Sequence, residues 1–194
     1  MPFNAPEPDL TLADFITRFQ LQLPCYSEPA RNVRQAAVLV PIICRPIPTM
    51  LLTRRAAALR KHAGQVAFPG GSADRGDENL IATALREAWE EVAIPPRSVR
   101  ILGQLPPVDS SSGFQVTPVV GLLPAETRFN ASQDEVAEMF EMPLNQALSL
   151  GSYTPLQILR RTRQLQVYFS WYRSHMVWGM TAQILYRLGQ HIQS

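Results

Sequence analysis

The chain has 194 residues, a formal net charge of +2 and 46% hydrophobic residues, which fits one domain with a substantial core. No long basic block of the kind that follows a phosphate backbone is present, so the sequence carries no nucleic-acid signature, and the longest apolar run, Ala36 to Cys44, is far too short for a transmembrane segment. Cys25 and Cys44 are too few for a disulfide framework and lack metal-site spacing.

In chain order, the first fifteen residues have no basic start followed by an apolar stretch, so they do not read as a secretory signal, and a cytoplasmic protein is expected. Residues 1–9 are proline-rich and expected to be loose. Thr11 can cap a helix in which Leu12, Phe15, Ile16 and Phe19 recur at helical spacing. Residues 1–30 are read as an N-terminal extension carrying that one helix, within a single domain spanning 1–194. Gln35 to Cys44 and Ile47 to Arg54 are apolar runs on either side of the turn Arg45-Pro46-Ile47-Pro48, and are expected to pair as strands.

The helix on which Ile81, Ala84, Leu85, Ala88 and Val92 recur is stopped by Pro95-Pro96. Strands are then predicted at Val99 to Leu105 and at Phe114 to Leu122, with Asp109 to Gly113 as the loop between them. A further strand is expected from Glu135 to Met142, and a short helix from Pro143 to Leu148. Leu165 to Trp171 alternates like an exposed strand, and Trp178 to Ile192 has helical periodicity. Helices and strands interleave without a regular βαβ rhythm, which predicts an α/β fold with a mixed sheet.

The chemistry concentrates between Leu51 and Ile94. In the helix, Glu87, Glu90 and Glu91 share one face, while Ile81, Ala84, Leu85, Ala88 and Val92 gather on another. Each like-charged pair at such spacing costs a few tenths of a kcal/mol, a penalty that a bound hard cation removes. Mg²⁺ or Mn²⁺ suits an all-carboxylate donor set, with substrate phosphates completing the coordination. Taken alone, an acidic helix face is most often solvated surface. The conjunction with Phe68-Pro69-Gly70-Gly71, a loop whose glycines allow close approach of a ligand, shifts the reading toward a site.

This stretch resembles the Nudix box, G-x5-E-x7-R-E-U-x-E-E-x-G-U with U a bulky aliphatic, and Glu78, Arg86, Glu87, Glu90, Glu91 and Ile94 match it. The chain departs at Gly71, one residue earlier than the motif glycine, at Ala93 in place of the last glycine, and at the small Ala88. Upstream, Leu51-Leu52-Thr53, Arg55, Ala56, Arg60, Gly64 and Phe68-Pro69-Gly70-Gly71 fill every specified position of a pattern similar to the coenzyme A diphosphatase branch of Nudix hydrolases. Val116 to Val120 and Val177 to Ala182 are also similar to that branch.

The resemblance implies a Nudix-type α/β/α sandwich that uses Mg²⁺ or Mn²⁺ to hydrolyse the pyrophosphate bond of coenzyme A and its derivatives. The products would be phosphopantetheine and adenosine 3′,5′-bisphosphate. Glu87, Glu90 and Glu91 are then the metal ligands. Arg86 either holds these carboxylates, touches phosphate, or makes a plain bridge to Glu90. Glu135 is a candidate general base or extra ligand, against the alternative of a solvent-facing acid. Arg54, Arg55 and Arg60, with Lys61, are candidates for substrate phosphates, and Gly70 and Gly71 for the close backbone approach. His62, His175 and His191 receive no catalytic role.

The expected partner is a small molecule, coenzyme A or a related dinucleotide, and a homodimer is left open. Two other functions stand beside this one: hydrolysis of another dinucleotide such as NADH or ADP-ribose, and a non-catalytic binding module. The intact glutamates argue against the last.

Overall fold

The computed structural model describes residues 10–23, 30–58, 62–160 and 163–193. Residues 1–9, Cys25, Arg60 and Lys61 lie outside the described residues. The first helix, α1 (Leu12–Leu21), begins at a capping box: the Thr11 hydroxyl accepts the Asp14 N–H at 3.1 Å, and the Asp14 carboxylate faces the Thr11 N–H at 3.4 Å. Its apolar stripe turns Phe15 and Phe19 inward, and the Phe19 ring meets His191 edge-on at 5.1 Å. The Phe19 carbonyl lies 3.0 Å from Nε2 of His191 and can only accept, so that nitrogen carries the proton.

Eight strands form the main sheet: β1 (Arg34–Ile43), β2 (Thr49–Arg55), β3 (Val66–Ala67), β4 (Gly70–Ser72), β5 (Arg100–Gln104), β6 (Val108–Asp109), β7 (Phe114–Leu123) and β8 (Val136–Pro143). The sheet is mixed, as expected. The expected pairing of the first two long strands is only marginal, with Ile42 opposite Met50 and Ile43 opposite Thr49. The main partner of β1 is β7, parallel and in register from Arg34 opposite Phe114 to Ile43 opposite Leu123. Strand β2 runs antiparallel to β8, and β4 to β1. Gly70 is required there, because a Cβ would sit 2.4 Å from the Ala37 carbonyl oxygen and 2.6 Å from the Val38 Cα.

Alternation along β1 divides the interior into two cores. Ala37, Leu39 and Ile43 face α2 (Leu80–Val92), where Ala84, Ala88 and Val92 are fully buried. Val38, Val40 and Ile42 face the other way, toward α1 and α4 (Gly179–Gln193). A buried aliphatic side chain contributes roughly 1.5–3 kcal/mol, so β1 anchors both layers. The result is the expected α/β/α sandwich.

A short helix, α3 (Leu144–Ala147), follows β8, and three more strands form a separate antiparallel sheet in the order β11-β10-β9: β9 (Thr154–Arg160), β10 (Arg163–Tyr172) and β11 (His175–Trp178). Trp178 was expected to open the last helix and instead closes β11. Gly179, at φ +64°, makes the change of direction between strand and helix that a residue with a Cβ resists. Among the described residues no helix is long and apolar enough to cross a membrane.

Candidate active site

Helix α2 starts where the Asn79 side chain accepts the Ala82 N–H at 2.9 Å. It ends at Ala93, whose φ of 57° puts a non-glycine residue in the left-handed conformation, at the position where the motif has glycine. Between these ends the helix presents Glu87 and Glu91 to the Gly70-Gly71 strand and leaves Glu90 half exposed.

Glu91 is not a solvated acid. Its side chain is 4% exposed, and burial pushes its carboxyl up to about 8, helped by the charges of Glu135 and Glu87 and opposed by Arg55 and a Gly70 backbone hydrogen bond. The nearest guanidinium nitrogen of Arg55 is 3.9 Å away, and the Arg55 Nε is buried without a hydrogen-bond partner. Burial also raises the pKa of Glu87, against the lowering effect of Arg86. A Cβ on Gly71 would come within 2.5 Å of the Glu87 carboxyl, so the glycine is what lets this strand lie on the acid.

Arg86 ties the loop to the helix. Its Nε and Nη2 each donate to Asp77 at 3.0 Å, Nη1 donates to Glu87 at 2.9 Å and to Glu90 at 3.3 Å, and Nη2 also reaches the Ser72 carbonyl at 3.1 Å. The bridge to Glu90 exists but is the longest of these contacts. The forked pair with Asp77 dominates and holds the Asp77 carboxyl well below the usual carboxylate range; the Asp74 N–H and the Thr83 hydroxyl add to it. Asp77 has no role in the sequence reading. Its one signal in the sequence is its place nine residues before Arg86, and Glu78, the motif match beside it, is exposed.

Glu135 is half buried just before β8, and its carbonyl accepts the Ala56 N–H at 2.9 Å. Its charge raises the pKa of both Glu87 and Glu91, so it belongs to the same acidic group. Arg54 does not join this group. It points from the opposite face of β2 and donates to Glu138 at 3.0 Å, and Glu138 in turn meets His175 at 3.1 Å. Sequence reasoning could not see this, because Arg54 and Glu138 are opposed only by the β2–β8 register.

The candidate metal donors Glu87, Glu90 and Glu91 are all carboxylates, the oxygen donors that Mg²⁺ or Mn²⁺ takes. Among the described residues no three His, Cys, Asp or Glu side chains converge as a ready cage. Glu87 and Glu90 are turned to Arg86, and Glu91 lies against Arg55. The buried acids nonetheless fit a cation, since a nearby positive charge would offset the desolvation that now raises their pKa.

A family model described as NUDIX domain matches residues 33–174. The chain is 63% identical over 187 residues to the Nudix hydrolase NudL of Pectobacterium atrosepticum, covering 96% of this chain and 97% of that protein. It is 60% identical over 183 residues to NudL of Cronobacter sakazakii, covering 94% and 95%. These descriptions give no substrate. Among solved structures, it is similar to the M. smegmatis Nudix hydrolase RenU, with a TM-score of 0.50 and 22% identity over 58% of this chain and 72% of that one. A C. elegans Ap4A hydrolase gives a TM-score of 0.50 and 22% identity over 58% and 83%. At this identity the likeness bears on the fold alone.

Proposed function

The chain belongs to the Nudix hydrolase family, and from that premise we propose that it hydrolyses the pyrophosphate bond of coenzyme A and its derivatives. The observation that carries the reading is the pair of buried acids Glu87 and Glu91 against Gly71 and Gly70, with the half-buried Glu135 acting on both and Arg55 beside Glu91. The coenzyme A branch is favoured over other dinucleotides because the run from Leu51 to Gly71 fills every specified position of its pattern.

Glu87, Glu90 and Glu91 would hold Mg²⁺ or Mn²⁺, which when bound neutralises phosphoryl oxygens and lowers the pKa of water. Arg86, held by Asp77, keeps Glu87 and Glu90 oriented. Arg55, whose Nε has no partner, would meet a substrate phosphate, with Arg60 as the other candidate from the motif. Glu135, whose charge acts on Glu87 and Glu91, would take the proton from water or serve as an extra ligand. Addition of one water across the pyrophosphate bond gives phosphopantetheine and adenosine 3′,5′-bisphosphate.

The test is a substrate panel of coenzyme A, dephospho-coenzyme A, NADH and ADP-ribose with Mg²⁺ or Mn²⁺, with the products identified by mass. Coenzyme A should be the best substrate. A charged contact to its 3′-phosphate, at roughly 1.5–3 kcal/mol, makes dephospho-coenzyme A about 10- to 100-fold poorer. A higher kcat/KM on NADH or ADP-ribose would assign the site to another dinucleotide.

A further inference from the structure

Near β11 the β9–β10–β11 sheet buries one face and leaves the other bare, while the far end of β9 and β10, with Gln157, Leu159, Gln164 and Gln166, is exposed on the inner face as well. Directly opposed residues of antiparallel strands share a face. Tyr172 opposite His175 and Ser170 opposite Val177 lie on the inner face, where Val177 is 1% exposed and Tyr168 stacks on Tyr186 of α4 at 4.1 Å.

The outer face carries Leu156 (51% exposed), Ile158 (37%), Leu165 (41%), Trp171 (60%), Met176 (43%) and Trp178 (41%). The register makes them one strip: Trp171 faces Met176, Phe169 faces Trp178, Val167 faces Leu156 and Leu165 faces Ile158. No Asp, Glu, Lys or Arg occurs from Thr154 to Leu159 or from Gln164 to Tyr172.

With large side chains presenting roughly 150–250 Å² each, these exposures leave on the order of 600 Å² of apolar surface in water. That is at the upper end of what monomers tolerate, about 300–600 Å². It approaches the roughly 800 Å² per partner that a standard interface buries. Within these two stretches the strip offers no charge to an acidic or basic partner; charges lie at its borders, Arg160, Arg161, Arg163 and Arg173 in the sequence and Arg54 and Glu138 in the neighbouring cleft. An uncharged apolar strip is complementary to itself, as a two-fold contact requires.

We propose that two copies of this chain pack through the outer faces of their β9–β10–β11 sheets to form a two-fold dimer. Trp171, Met176 and Trp178 also line a cleft of about 590 Å³ together with Arg54, Gln65 and Glu138, so the second copy closes one wall of that cleft.

The experiment is sedimentation velocity of the native protein across a wide concentration range, with Leu156→Glu, Met176→Glu and Gln157→Glu in parallel. Thermal melting confirms that each variant is folded. The native protein should sediment as a dimer, the two outward glutamates should each produce a monomer, and Gln157→Glu, on the opposite face of the same strand, should stay dimeric. A native protein that is monomeric at every concentration overturns the proposal, as does a folded Leu156→Glu that remains a dimer. Co-sedimentation of a monomeric native protein with phosphatidylglycerol vesicles also overturns it and gives the strip to a lipid surface. None of these readouts depends on turnover, so the dimer stands or falls separately from the substrate assignment.

Discussion

Replacing Glu91 by Gln tests the site through a group that is costly to ionise. The carboxyl is 4% exposed and its pKa is raised from the ordinary 4.5 to about 8, chiefly by burial. Because the folded value lies above the unfolded one, the group's stabilising contribution is complete below about pH 4.5 and is lost as pH rises through about 8. A shift of this size corresponds to at most about 5 kcal/mol at about 1.4 kcal/mol per pH unit. Gln is nearly isosteric and needs no ionisation. In a chelator, Glu91→Gln should therefore melt at the same temperature as the native protein near pH 4.5 and progressively higher toward pH 8. At roughly 2–4 °C per kcal/mol, the gap reaches up to about 10–20 °C. Added Mn²⁺ should raise only the native melting temperature, by mass action on the folded state, and turnover of the variant should fall at least ~100-fold for want of the metal. Native and variant melting curves that stay parallel across this pH range would refute the buried-acid reasoning.

Asp77→Asn removes the forked partner of Arg86 and should lower the urea unfolding free energy by about 1.5–3 kcal/mol. The Asp77 pKa is depressed, so the native advantage should be full above the usual carboxylate range and fade on acidification, leaving the two proteins alike in strong acid. Gly71→Ala should fold, because the Glu87 side chain that meets the new Cβ can swing away, but its displacement should reduce kcat about 10- to 100-fold in a steady-state assay. Ala93→Gly relieves a left-handed non-glycine residue and should gain about 1 kcal/mol, read as a rise in melting temperature with unchanged kcat.

The parts of the fold legible in the sequence are those whose signal is local. Helix α1 followed from its cap and its Phe15–Phe19 spacing, and α2 from its acidic and apolar faces, both defined within a few turns. The partners of strands were not legible. The β1–β7 ladder and the opposition of Arg54 to Glu138 depend on residues roughly 80 positions apart, and no periodicity encodes that choice. Strand β9 went unread because Thr154 to Arg160 is short and contains Pro155, although Leu156 and Ile158 alternate. In the site, the glutamates and glycines stood out by spacing. Asp77 did not, because its importance lies in a hydrogen bond across a turn to a residue nine positions later.

The parallel ladder between β1 and β7 also shapes how the chain folds. All ten residues of β1 find their main partners between Phe114 and Leu123, so the segment carrying the acidic helix is a loop that must close before the sheet exists. Closing so long a loop is entropically unfavourable until the ladder forms, and contacts this distant in sequence slow folding. During synthesis, β1 leaves the ribosome well before the strand that covers it. A chain stalled before Phe114 would leave the β7 edge of β1 unpaired, and Val40 and Ile42, fully buried in the finished protein, would lack the α4 side chains that cover them. Strand β1 is thus the segment most in need of shielding in the nascent protein, and chains truncated ahead of β7 should aggregate through it.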